Sequence, residues 1–266
     1  MTFGKKNPAV RGLQRLYLAL IFFFLYAPIA VLVVQSFNAS KSRARWGGFT
    51  LDWYRALLEN EDILRALSNT LSIASLSALA ATAIALVACL ALVHTTKKLR
   101  AAFLGLSNIP MLNAEIVTGI SLMLLFLTLG LRMGYGTILL SHITFCIPYA
   151  ILSIMPRFQQ LRTSTYEAAL DLGATPPYAF YKVVLPDLLP GIVSALLMSF
   201  TMSLDDFIIT HFTKGAGVDT LSTKIYTEVK KGIKPEMYAL STLIFGAVLL
   251  LLLLVNWPRK DQKKQS

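Results

Sequence analysis

Apolar residues run along this chain in long unbroken stretches, not in the two-residue or 3.6-residue alternation of elements with one wet face. A helix rises about 1.5 Å per residue, so ~20 apolar residues cross the ~30 Å hydrocarbon core of a bilayer. Six stretches reach that length: about Leu16 to Phe37, Leu67 to Val93, Ala102 to Leu131, Thr137 to Met155, Gly191 to Phe212 and Tyr238 to Trp257. The last contains an unbroken aliphatic run from Val248 to Val255. The first is too long for a signal-peptide core and has no prompt small-x-small cleavage site, so it reads as a retained membrane helix. The pattern therefore predicts an all-α, polytopic membrane protein with six transmembrane helices.

Two polar intervals stand out. Asn38 to Ala66 contains Gly47-Gly48-Phe49 and then an amphipathic helix near Leu51 to Leu58, whose Trp53 and Tyr54 suit a membrane interface. The interval between the fourth and fifth stretches, about 35 residues, is too long for a plain connection. The expected organisation is residues 1–65 for the first helix and its loop, 66–257 for a five-helix core with a loop at 164–186, and 258–266 for a basic tail.

Composition sharpens this picture. Of 266 residues, 55% are hydrophobic and only 15% charged. Mean hydropathy is +0.61, whereas soluble domains carry about 25% charge. The net charge of +11 then reads as loop charge and not as a nucleic-acid surface. With the N-terminus inside, 14 Lys and Arg fall on the inner side and 11 on the outer. Both termini are therefore expected to be cytoplasmic, and the tail Pro258-Arg259-Lys260-Asp261-Gln262-Lys263-Lys264 reads as a topology anchor. Cys89 and Cys146 lie in apolar stretches and read as free thiols. No Gly-x-x-x-x-Gly-Lys-[Ser/Thr] loop occurs, so the chain is not expected to hydrolyse ATP. The histidines His94, His142 and His211 are scattered, no metal-ligand spacing is present, and no cofactor is expected on this chain.

The long inner loop carries the sharpest local signal. Ser164 or Thr165 can cap a helix running to Gly173, with Glu167 near its positive end and Gly173 as its stop. Pro176 and Pro177 open a second short helix, expected to end before Pro186. Glu167-Ala168-Ala169, three residues, Gly173, nine residues, Val183, one residue, Leu185-Pro186 resembles the EAA loop of ABC importer permeases, with Val183 in place of the usual isoleucine. The resemblance implies a type I ABC importer permease fold. It also implies that Glu167, Ala168, Ala169, Gly173, Leu185 and Pro186 couple the chain to an ATPase subunit.

Ser141 to Pro148, Ser199 to Asp206, Lys224-Ile225-Tyr226, Gly232 to Glu236 and Ala239 to Thr242 are similar to the second-permease type of spermidine/putrescine transporters. That similarity implies a bacterial inner-membrane location and several partners: a homologous second permease, two ATPase subunits that bind ATP-Mg, and an extracytoplasmic polyamine-binding protein.

Independently of that likeness, ionisable groups inside a span are costly, ~2.5–3.5 kcal/mol each on insertion scales, and mark function by default. Glu115, Asp205 and Asp206 qualify, and no Lys or Arg lies within the six apolar cores. Counting outward at 1.5 Å per residue, about 20 Å separates Ala102 from Glu115 and about 21 Å separates Gly191 from Asp205. All three acids are thus expected at one depth, where unneutralised charges repel strongly. An ammonium solute resolves that conflict; an anion worsens it. Ser203 beside the pair and Trp53 on the outer loop complete the candidate path. His142, Phe145 and Tyr149 read mainly as packing residues, and Tyr226 stays open. The expected function is permeation of polyamines; the alternatives are a permease for another cationic or zwitterionic solute, or a non-transport membrane scaffold.

Overall fold

The computed structural model describes residues 8–255 except 41, 43, 162 and 233. Twelve α-helices account for most of these residues, and the one β feature among them is an isolated bridge between Asn38 and Phe49. The helices are α1 (Pro8–Ser36), α2 (Asp52–Glu59), α3 (Glu61–Val93), α4 (Lys97–Leu112), α5 (Glu115–Thr128), α6 (Tyr135–Gln160), α7 (Thr163–Asp171), α8 (Pro176–Ala179), α9 (Leu185–Asp205), α10 (Ile208–Thr213), α11 (Leu221–Lys231) and α12 (Pro235–Val255). A π-helical turn, Phe180–Val184, joins α8 to α9. Four continuous runs are long and apolar enough to cross a bilayer: Gly12–Ser36, Glu61–Val93, Tyr135–Gln160 and Pro176–Asp205. The α4–α5 pair qualifies as a fifth only as a broken span, because its halves meet at 101°. The predicted sixth stretch corresponds to α12; Trp257 and the tail at 258–266 lie outside the described residues.

The chain divides into two compact units. One comprises Met1–Glu61 with Thr227–Ser266, where α12 packs on α1 and on α2. From Leu13 to Tyr26 the side chains of α1 are exposed, with Phe22, Phe23 and Phe24 each more than half so, as suits a helix bathed in lipid. The other, Asp62–Tyr226, holds the core of α3, α6 and α9. On α3 the buried Ala74, Ala78, Ala81, Ala85 and Cys89 recur every three or four residues. Small residues on one helical stripe let backbones approach closely, which is how helices pack where lipid removes the hydrophobic drive. Ala150, Ile151 and Ile154 of α6 and Leu188 and Ala195 of α9 fill the facing positions.

Four sequence expectations need correction. The interruption that Pro110 signals in the third stretch is present, at Asn113 and Ala114, both extended, but its 101° bend defeats the straight count of depth to Glu115. The fifth stops at Asp205, and α10 begins anew at Ile208. Ser164 and Thr165 lie inside the first turn of α7, which starts at Thr163, and so do not precede it as caps. Finally, the second loop helix does not end before Pro186. Proline lacks an N–H and its ring clashes with the carbonyl four residues back. The widened π turn immediately before α9 absorbs that clash, so the helix runs on into the span.

Candidate functional site

The break between α9 and α10 is built by side chains. Asp206 is extended (φ −62°, ψ 128°), and its carboxylate turns back to cap α10. Oδ1 accepts from Ile209 N at 3.2 Å, and Oδ2 accepts from Thr210 N and Thr210 Oγ1, each at 2.8 Å. His142 of α6 places Nε2 at 3.3 Å from the same oxygen and 2.9 Å from Thr210 Oγ1. Because the Thr210 hydroxyl gives its proton to Asp206, it must accept from His142, which puts a proton on Nε2. The other ring nitrogen lies 2.6 Å from Ser203 Oγ, and Ser77 of α3 donates to Ser203 at 2.9 Å. Ser77, His142, Ser203, Asp206 and Thr210 are all buried. One polar chain therefore ties α3, α6, α9 and α10 together at the point where the span is interrupted.

This geometry divides the acids that the sequence groups together. Asp206 is buried, its oxygens are engaged by the protein, and a basic side chain stands beside it, contrary to the expectation of three unmatched acids. Ser203 is likewise enclosed. Asp205, one residue earlier, is exposed, and no partner reaches its carboxylate among the described residues. Two residues beyond it the rings of Phe207, His211 and Tyr226 cluster: Phe207 lies 4.5 Å from Tyr226 and 5.3 Å from His211, and His211 lies 6.0 Å from Tyr226, centroid to centroid. Sequence reading missed Phe207 and passed over His211 as scattered; their four-residue spacing after the acidic pair was the available signal.

Glu115 opens α5 as its first helical residue and is exposed. It does not share a level with Asp206 on a common ladder, because the 101° bend voids that count. Tyr149 of α6 stacks edge-on against Phe145 at 5.2 Å. Tyr149 lies seven residues, about 10 Å of helix, along α6 from the His142 that meets Asp206. Helix α5 packs on α10 at Gly119. A Cβ there would sit 3.1 Å from the Phe212 ring.

In the loop at 164–186, α7 ends in a Schellman motif. Ala174 N donates to Ala169 O and Gly173 N to Leu170 O, with Gly173 at φ +88°. An L side chain at that left-handed position would be strained, which explains the glycine. Glu167 and Ala168 are exposed, Ala169 is half-buried, and Leu172 projects at 89% exposure. Leu185 is half-buried and Pro186 exposed at the start of α9. The loop thus presents a short knob of small residues with an apolar tip.

Trp53 belongs to the other unit, where its indole N–H donates to Asn38 O at 2.8 Å. Asn38 is the hub of the loop after α1, its amide bonding Gln35 and the Arg45 carbonyl while its Oδ1 accepts from Ser40 N and Gly47 N.

The chain is similar to known membrane transport proteins. A family profile described as "Binding-protein-dependent transport system inner membrane component" matches residues 82–257. The putrescine transport system permease protein PotI of Escherichia coli K12 is 39% identical over 249 residues, covering 91% of this chain and 89% of that protein. The spermidine/putrescine transport system permease protein PotC of the same strain is 34% identical over 248 residues, covering 93% and 94%. Among solved structures, a bacterial ABC transporter for the acidic polysaccharide alginate superposes with a TM-score of 0.68 at 20% identity, over 94% of this chain and 96% of that one. An amino acid ABC transporter crystallised with histidines superposes at 0.52 and 16% identity, over 77% and 98%. At such low identity these two speak to the fold alone.

Proposed function

The chain belongs to the family of binding-protein-dependent inner-membrane transport components, and from that premise we propose that it is a permease subunit of an ATP-driven importer of polyamines. The observation that carries the substrate is Asp205: an exposed, unpaired carboxylate at the end of a span, with the Phe207, His211 and Tyr226 rings just beyond it. A carboxylate receives an ammonium group, and ring faces receive the cation or the methylenes between ammoniums. Glu115 supplies a second acid further along the path, and Trp53 an aromatic contribution from the outer loop. Asp206 and Ser203 act from behind the surface, holding the break that presents Asp205. The names of the relatives, putrescine and spermidine permeases, support the same solute class.

In this reading the protein crosses the inner membrane six times, with α4–α5 as one broken span, α12 as the last, and both termini cytoplasmic. It pairs with a homologous second permease and receives solute from an extracytoplasmic binding protein. Two ATPase subunits bind ATP-Mg and hydrolyse it; this chain supplies no catalytic group. Glu167, Ala168, Ala169, Gly173, Leu185 and Pro186 form the knob and its base that follow the ATPases as they close. Because the π turn joins that base directly to α9, movement of the loop passes into the span that ends at Asp205.

The test is uptake of labelled spermidine and putrescine by the reconstituted complex. Asp205→Asn is expected to reduce uptake at least tenfold while assembly is retained. Undiminished uptake by an assembled Asp205→Asn complex would overturn the assignment. Normal ATPase coupling in a Gly173→Pro complex would remove the docking role of the loop.

A further inference from the structure

None of the sixteen residues of α4 is buried. Leu104, Ser107, Asn108 and Met111 share one face and are half-buried, whereas Leu99, Phe103, Leu106 and Ile109, at steps of three and four residues, are exposed. The polar side chains Ser107 and Asn108 thus lie on the protein side and the large apolar ones face away, the reverse of a helix on a wet surface. Helix α4 meets α5 at 101°, so the two cannot both run along the membrane normal. Helix α5 is the crossing half: Ile116, Val117, Leu124 and Leu127 are exposed along it, and its fourteen residues climb about 21 Å of a ~30 Å hydrocarbon core. With α5 upright, α4 lies near the membrane plane. The remaining ~9 Å of core matches the 5–10 Å to which an interfacial helix sinks its apolar face.

The charge of α4 sits at one end. Lys97 and Lys98 open the helix, both exposed, and no carboxylate pairs with either among the described residues. The sequence from Val93 to Ala114 contains no Asp or Glu. Arg100 is engaged elsewhere: Nε donates to Leu92 O at 3.0 Å and Nη2 to Val93 O at 2.7 Å. These bonds tie the start of α4 to the last carbonyls of α3, a helix long and apolar enough to cross a bilayer. The two lysines are therefore held where a crossing helix ends, at the level of lipid headgroups.

We propose that α4 is a docking surface for anionic phospholipid, with headgroup phosphates on Lys97 and Lys98 and acyl chains along Leu99, Phe103, Leu106 and Ile109. Charge complementarity selects this occupant. Two unmatched ammonium groups at the end of an apolar strip fit a phosphate with hydrocarbon attached, and a zwitterionic headgroup offsets that attraction with its own cation. The contact supplies the hold that the break at Asn113 and Ala114 lacks from side chains, and so sets the level at which α5 begins. The proposal requires a bilayer with the turn between α3 and α4 at its surface, and it does not depend on which solute the protein moves.

The experiment places the assembled complex in nanodiscs of mixed phosphatidylglycerol and phosphatidylcholine. A fluorophore is attached through Ala102→Cys, exposed and one turn beyond Lys98. Cys89 and Cys146 are buried, and the parent complex serves as the labelling blank. Bromine on the acyl chains of one lipid at a time quenches the fluorophore on contact. Brominated phosphatidylglycerol is expected to quench as though enriched at least fivefold over its bulk fraction, since each lysine near a surface gains about fivefold for anionic lipid. Lys97→Gln combined with Lys98→Gln is expected to lower that enrichment at least threefold. Quenching by brominated phosphatidylcholine should persist in the double variant, which reports that α4 still lies on lipid. Enrichment unchanged by the double substitution, or equal quenching by the two lipids in the parent, overturns the proposal. Quenching by neither lipid would place a protein neighbour on this face and overturn it as well.

Discussion

Two spans of this protein are interrupted, and the interruptions are built in opposite ways. At Asp206 five buried side chains from four helices close the gap, and the first turn of α10 has its N–H groups answered by a carboxylate. At Asn113 and Ala114 no side chain caps α5, and Glu115 extends into open space. The first is a clamp with a single arrangement. The second has no side-chain cap, and its flanking helices are held by packing, α4 on α6 and α5 on α10. The clamped break fixes where Asp205 is presented, and the open break lacks any such clamp.

The largest expected effect comes from opening the clamp. Asp206→Ala strands His142 and two backbone donors in the interior, a loss of about 3–5 kcal/mol by analogy with broken buried ion pairs. We predict failed assembly or a sharply lowered Tm for the purified subunit. A Tm like that of the parent would show the clamp to be dispensable. His142→Ala removes the bridge but leaves the α10 cap, so about 1–3 kcal/mol is expected. Hydrogen exchange should then speed up at Ile209 and Thr210 before it does elsewhere. Ala114→Ser tests the open break from the other direction. Ala114 already has the extended backbone of an N-cap (φ −61°, ψ 133°), so a hydroxyl there is expected to stabilise α5 by about 0.5–2 kcal/mol. Slower exchange at the start of α5, accompanied by slower transport, would show that this break moves during the cycle. The smallest effect on stability belongs to Asp205→Asn, expected within about 0.5 kcal/mol because its carboxylate supports nothing in the fold. Unfolding measurements on Asp205→Asn and Asp206→Ala, side by side, decide whether adjacent acids hold different jobs.

Much of this is legible in the residue pattern. The spans follow from apolar length, because lipid leaves backbone groups no partner except their own helix. The stop of α7 at Gly173 and the start of α8 at Pro176 follow from local backbone chemistry, as does the interfacial α2. The loop motif 167–186 could be recognised from spacing. What misled was counting along helices taken to be straight. Pro110 hints at trouble in the third stretch, yet Pro148 and Pro156 sit within α6 without ending it, so proline alone does not locate a break. Nor does Pro186 end its helix, since a π turn had room to form.

From the residue pattern alone come a helical membrane protein, a loop whose spacing resembles that of ABC importer permeases, and three acids in apolar stretches, because those depend on composition and short-range geometry. Only the tertiary structure separated Asp205 from Asp206, joined His142 to Ser203 and Thr210, and gathered Phe207, His211 and Tyr226 into one cluster. The reason is that burial and partnership are properties of neighbours brought together from α3, α6, α9 and α10, up to 126 positions apart in the chain. Two identical carboxylates in succession carry no mark of which will meet a histidine and which will stay exposed.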